Sequence, residues 1–235
     1  MGALQYVDCP GYAAILFRRT FADLALPGAL MDRAHEWLQG TAAQWVAQEK
    51  TWRFPSGASV SFGYLETEND KYRYQSSEFQ YIGFDELTQF AESQYRYLFS
   101  RLRRPGQVQA PLRQRAGSNP GGTGHEWVKL RYVDPPNPER PFIPARIDDN
   151  PYLDQTGYID SLNQLDAVTR AQLLEGDWTA RPAGAKFRRE WFEIRDAAPA
   201  NMSLCRYWDL AATEPKPGTD PDWTAGALVG RTTDG

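Results

Sequence analysis

Strand and helix signals alternate along the first 100 residues, and this alternation constrains the fold more than any other feature of the 235-residue chain. AILFRRT at 14–20 reads as a strand, and the segment from Pro27 to Gln39 reads as a helix closed by Gly40. FQYIGF at 79–84 is a short apolar strand, after which Tyr95, Leu98, Phe99 and Leu102 fall at i, i+3, i+4 and i+7 of one helical face. LRQRAGS at 112–118 repeats the strand signal. Between these units, Trp52, Phe54, Val60, Phe62 and Tyr64 alternate with small or polar residues around Pro55-Ser56-Gly57, predicting a hairpin that decorates the main sheet. Such alternation belongs to layered α/β domains.

The rest of the chain changes character. Asn119-Pro-Gly-Gly is a turn, and Thr123 with Glu126 has capping-box spacing for a helix through Arg131. Six prolines between 134 and 157 argue for a wrapping connection. Asp160 or Asp166 then caps short helices carrying Leu162, Leu165, Leu173 and Leu174 before Gly176. Residues 180–200 read as a linker containing one short apolar strand, Trp191 to Ile194. LCRYWDLAA at 204–212 and TAGALVG at 224–230 read as two strands. Two strands cannot bury a sheet face by themselves, so they read as the opening of an incomplete second domain.

Composition excludes several classes. Lys and Arg total 26 against 30 Asp and Glu, a net charge of −4 that rules out a uniformly basic nucleic-acid coat but not a local basic face. Arg101, Arg103, Arg104, Arg113 and Arg115 form such a run, readable as a phosphate-contacting face or as a solvated helix end. The two cysteines, Cys9 and Cys205, cannot build a four-cysteine zinc site and indicate a reducing compartment. No stretch approaches the roughly 18 apolar residues of a membrane span. His35 and His125 offer no metal spacing and read as core or surface residues.

The chemistry-bearing residues lie at strand ends. Tyr81 to Phe84 runs into Asp85-Glu86: adjacent acids at a strand end diverge, so one could hold Mg2+ and the other orient or deprotonate a water. A helix cap or solvated turn uses the same residues. Arg18 and Arg19 close the strand at 14–20, and period-two alternation turns one of them toward a ligand at the sheet edge. Ser118 and Asn119 end another strand before a flexible turn. Asp209 lies in an apolar strand, where a charge is costly unless it meets a polar cleft or metal. A hairpin could return Asp222 to it, giving a carboxylate pair able to share divalent metal, or the two are an unrelated strand end and turn. No G-x-x-x-x-G-K-[ST] occurs in the chain.

Taken together, AAILFRRTFADL, TWRFPSGASVSFG, KYRYQSSEFQYIGFDELTQF, QYRYLFSRLRR, SNPGGTGHEWVK, IDDNPYLD, LLEGDW and RYWDLAAT resemble the large terminase subunit of tailed bacteriophages and prophages. The resemblance implies a P-loop NTPase-like layered α/β domain lacking its P-loop strand (1–157). It also implies a helical lid and linker (158–200) and the first hairpin of an RNase H-like nuclease domain (201–235). It makes Asp85 the Mg2+ acid, Glu86 the catalytic acid, and Arg19, with Arg18 behind it, a charge partner of the nucleotide. Ser118 and Asn119 match the motif that couples hydrolysis to movement. Asp209 and Asp222 become nuclease ligands for Mg2+ or Mn2+. The implied cofactors are ATP and Mg2+; the implied partners are double-stranded DNA, the portal protein, the small terminase subunit and further copies in a ring, in the bacterial cytoplasm. Both ends are expected to be cut inside domains, with the P-loop lysine before Met1 and later nuclease acids after Gly235. The competing reading is a non-catalytic DNA- or portal-binding remnant.

Overall fold

The structure is a computed structural model that describes residues 1–106, 108–152, 155–180, 191, 193, 197, 201–210 and 224–232. The chain divides into two compact units, Met1–Pro182 and Ala183–Gly235.

The first unit is built on β1 (Ala13–Arg18), α1 (Phe21–Ala25), α2 (Leu30–Leu38), β2 (Gln44–Val46), β3 (Thr51–Arg53), β4 (Ser59–Tyr64), β5 (Tyr81–Asp85), α3 (Glu92–Phe99), β6 (Arg113–Gly117) and α4 (His125–Val128). Its six strands lie in the order β2-β3-β4-β1-β5-β6. β4, β1, β5 and β6 are mutually parallel, while β2 and β3 pair antiparallel. The hairpin expected at 52–64 forms, with Gly57 at φ +83 in its turn. It does not decorate the sheet, because its second strand pairs with β1 and is part of it.

Alternation along β1 and β5 sends side chains to two cores, as a parallel sheet covered on both faces requires. Ile15, Phe17, Ile82 and Phe84 pack under Tyr95 and Leu98 of α3 and Val128 of α4. Ala14, Val60, Phe62 and Tyr81 pack under Leu24 of α1 and Leu38 of α2. Gly83 keeps the strands close: a Cβ there would sit 2.5 Å from Leu16 Cδ2.

Three local expectations need correction. α3 ends at Phe99, and Leu102 instead bridges to Phe79. Thr123 does not cap a helix through Arg131: α4 starts after Gly124, whose N–H donates to the Thr88 carbonyl, and a π-helical turn at Lys129–Val133 follows. Asp160 lies inside α5 (Gln155–Leu162), and Asp166 alone caps α6 (Ala167–Arg170), accepting from the Val168 and Thr169 N–H groups. After α6 a π-helical turn ends at Gly176, at φ +64, and Trp178 enters the core under α3 and α4.

In the second unit β7 (Met202–Asp209) and β8 (Ala225–Thr232) form an antiparallel pair. Leu204, Tyr207, Trp208, Leu228 and Val229 of this pair are exposed. The strand expected at 191–194 lies largely outside the described residues.

Candidate functional site

β5 is one of the two inner strands of the parallel group and is buried from Tyr81 to Phe84. Its last residue, Asp85, pairs with Gly117 at the end of β6. On the other side Phe17 pairs with Phe84, and the next residue, Arg18, brings its Nε to 3.4 Å from Asp85 Oδ2. Carboxyl ends of β1, β5 and β6 thus meet at one place, the usual location of ligands in open α/β sheets. A cleft of about 320 Å³ opens there, lined by Leu16, Gly83, Asp85, Arg115 and Gly117 among others.

Glu86 follows in the left-handed region, at φ +55 and ψ +60. A side chain in that conformation costs roughly 1–2 kcal/mol, and the strand ends there. Burial, reinforced by the Asp85 carboxylate, pushes the Glu86 carboxyl above the usual carboxylate range, against the opposing pull of Arg18 and the Asn119 N–H that it accepts. A carboxyl tuned upward suits acceptance of a proton near neutral pH.

Ser118 and Asn119 reach the acids through Thr88. The Thr88 N–H donates to Ser118 Oγ at 3.0 Å, the Thr88 hydroxyl donates to the Asn119 carbonyl at 3.1 Å, and Thr88 Oγ1 lies 3.1 Å from Ser118 Oγ. Gly122, at φ +76, passes so close that a Cβ would lie 2.9 Å from the Thr88 carbonyl oxygen. Thr88 is buried. Sequence reasoning missed it, although its position two residues beyond Glu86, inside the turn that follows the acids, was the available signal.

The structure therefore brings Arg18, Asp85, Glu86, Ser118 and Asn119 to one sheet edge. Arg19 goes elsewhere, which reverses the expected order of the two arginines. Alternation places it on the opposite face, where Nη1 donates to the Leu65 carbonyl at 2.8 Å and to Gln94 Oε1 at 3.3 Å. Asp209 ends β7 and is exposed, so the burial cost expected for it does not arise. Asp222 lies outside the described residues.

The residues present fit a nucleotide that brings its own metal. Arg18 Nη1 is buried without a hydrogen-bond acceptor and Nε meets Asp85 only as an ion pair, and phosphate oxygens are the natural partners of a guanidinium. Among the described residues no group of three or more His, Cys, Asp or Glu could hold a metal ion. Mg2+ needs only one or two carboxylates when phosphates and water complete its shell, and the Asp85 carboxylate fits that need.

The layered α/β fold, a mixed sheet with four parallel strands, is shared with known structures of a phage large terminase. Three structures of the large terminase from a thermophilic bacteriophage align with the chain. The complex with ADP has a TM-score of 0.58 at 14% identity over 95% of this chain and 53% of that one. A second crystal form has a TM-score of 0.58 at 15% identity over the same shares. The complex with ATP-gamma-S has a TM-score of 0.56 at 15% identity, over 72% and 40%. The family described as terminase large subunit, T4likevirus-type, N-terminal, matches residues 15–194, and the chain belongs to it. No curated protein matches. The chain spans about half the length of the phage terminase in its ADP complex (53%). Among the described residues no helix is long and apolar enough to cross a membrane.

Proposed function

We propose that this chain carries the nucleotide-hydrolysing edge of a large terminase subunit, whose whole form drives double-stranded DNA into a procapsid. The observation that supports this most directly is the Arg18–Asp85 pair at the end of β5, followed at once by Glu86, whose carboxyl is raised by burial and by Asp85. ATP with Mg2+ would supply the phosphoanhydride and neutralise its oxygens. Asp85 would hold the metal, directly or through water. Arg18 turns its Nη1 to phosphate oxygens. Glu86 orients the attacking water and accepts its proton at the carboxylate. Ser118 and Asn119 register the change through Thr88.

We infer further that β7–β8 opens an RNase H-like nuclease domain with Asp209 as its first ligand for Mg2+ or Mn2+ and Asp222 as an additional acid. In this reading residues 1–157 are motor, 158–200 lid and linker, and 201–235 nuclease. DNA, portal, small subunit and a ring of copies are the partners, in the host cytoplasm. The sequence has no lysine in a phosphate-cradling loop, which favours slow or absent turnover by this chain alone and keeps a non-catalytic, DNA- or portal-binding role as the second reading.

Nucleotide binding with and without Mg2+, read by calorimetry, tests the first reading. The wild-type chain should bind ATP with an Mg2+-dependent increment, Asp85→Asn should lose the increment, and Arg18→Gln should weaken binding about tenfold or more. Equal binding by all three would leave the second reading.

A further inference from the structure

We propose that His125 is a positioning residue that latches the helical segment 155–180 to the Asn119–Gly122 turn and passes the state of the acid site to that segment. His125 is buried. Its Nδ1 accepts from the Gly121 N–H at 2.8 Å, and its Nε2 lies 3.1 Å from the Trp178 carbonyl. The first bond requires a bare Nδ1, so the proton sits on Nε2 and is donated to Trp178, giving a neutral ring of one tautomer. The His125 and Trp178 rings lie 5.3 Å apart.

A second contact runs in parallel. A Cβ at Gly121 would meet Gln172 Oε1 at 2.8 Å, and Gln172 Nε2 donates to the Ala180 carbonyl at 2.9 Å. The turn held in this way is the one whose Asn119 N–H is accepted by Glu86 and whose Asn119 carbonyl is held by Thr88. The chain of contacts Glu86–Asn119–Gly121–His125–Trp178 is therefore continuous. Its coupling function rests on the nucleotide reading of Glu86 and Asn119, whereas the latch itself does not.

Hydrogen exchange on the whole chain, corrected for intrinsic rates, tests the latch. In His125→Phe, segments 119–124 and 172–180 should both exchange faster than in wild type, by about fivefold or more. His125→Asn, able to accept from Gly121 but too short for Trp178, covers the case in which the Phe variant does not fold: it should loosen 172–180 while sparing 119–124. A folded variant without effect on 172–180 overturns the latch. Added ATP and Mg2+ should alter both segments in wild type. A change confined to 119–124 overturns coupling alone, and no change in either, with the effects of the variants intact, overturns coupling and the nucleotide reading but leaves the latch.

Discussion

Arg18 and Asp85 face each other across the boundary of β1 and β5, with Nε 3.4 Å from Oδ2 and side chains 19% and 40% exposed. The guanidinium is the more deeply placed partner, and its Nη1 has no hydrogen-bond acceptor. Losing the carboxylate leaves it less compensated than losing the guanidinium leaves Asp85. Asp85→Ala should therefore destabilise by about 1–3 kcal/mol and Arg18→Ala by less, since a half-exposed carboxylate is solvated by water. Urea midpoints at constant m-value check this, and equal losses would contradict the asymmetry.

Glu86 should give stability a pH dependence of definite sign. Its folded-state carboxyl is raised, mainly by burial. The folded chain thus holds the proton more tightly than the unfolded one, and stability falls as pH rises from the unfolded value through the raised one. The penalty is complete above that window and absent below it. Glu86→Gln should be more stable than wild type at neutral pH, with the difference vanishing in acid below the ordinary carboxylate range, as read from denaturation series across pH.

Thr88 ties the acids to the turn. Thr88→Val keeps the shape but removes one of the two hydroxyls on the Asn119 carbonyl, leaving Ser118 Oγ alone with it. The expected cost is about 1–2 kcal/mol, with faster hydrogen exchange over 117–124, while Thr88→Ser should restore both. Unchanged exchange in Thr88→Val would remove Thr88 from the site.

Gly83 should be intolerant for a reason of packing alone. Its φ is not in the left-handed region, but an added Cβ falls 2.5 Å from Leu16 Cδ2. Gly83→Ala should cost about 1–3 kcal/mol, and the loss should shrink in a Leu16→Ala background. A double-mutant cycle measures this coupling, and additivity of the two substitutions would refute the clash.

Much of the architecture was legible because short-range patterning carried it. Alternation located β1, β5, β6, β7 and β8, Gly57 marked the hairpin turn and Asp166 the start of α6. Failures came where a distant group took over a local one. Thr123 and Glu126 have the spacing of a cap, yet Gly124 is the N-cap residue, its N–H given to the Thr88 carbonyl, and the helix starts at His125. Leu102 continues the apolar stripe of α3, yet Phe79 draws it into a bridge. His125 looked inert because its partners, Gly121 and Trp178, lie on opposite sides of it in the chain, the second far downstream.

By itself the sequence determined that an apolar strand ends in two acids, that another ends in Ser118-Asn119 before a glycine turn, and that one of two arginines faces them. These are properties of a few consecutive residues with a period of two. Which arginine it is, Arg18, was decided only by the tertiary structure, because parity along a strand becomes a direction only after the sheet has chosen which face each core covers. The same holds for Thr88 and His125: hydrogen bonds between segments remote in sequence exist only once the strands and helices that carry them have packed.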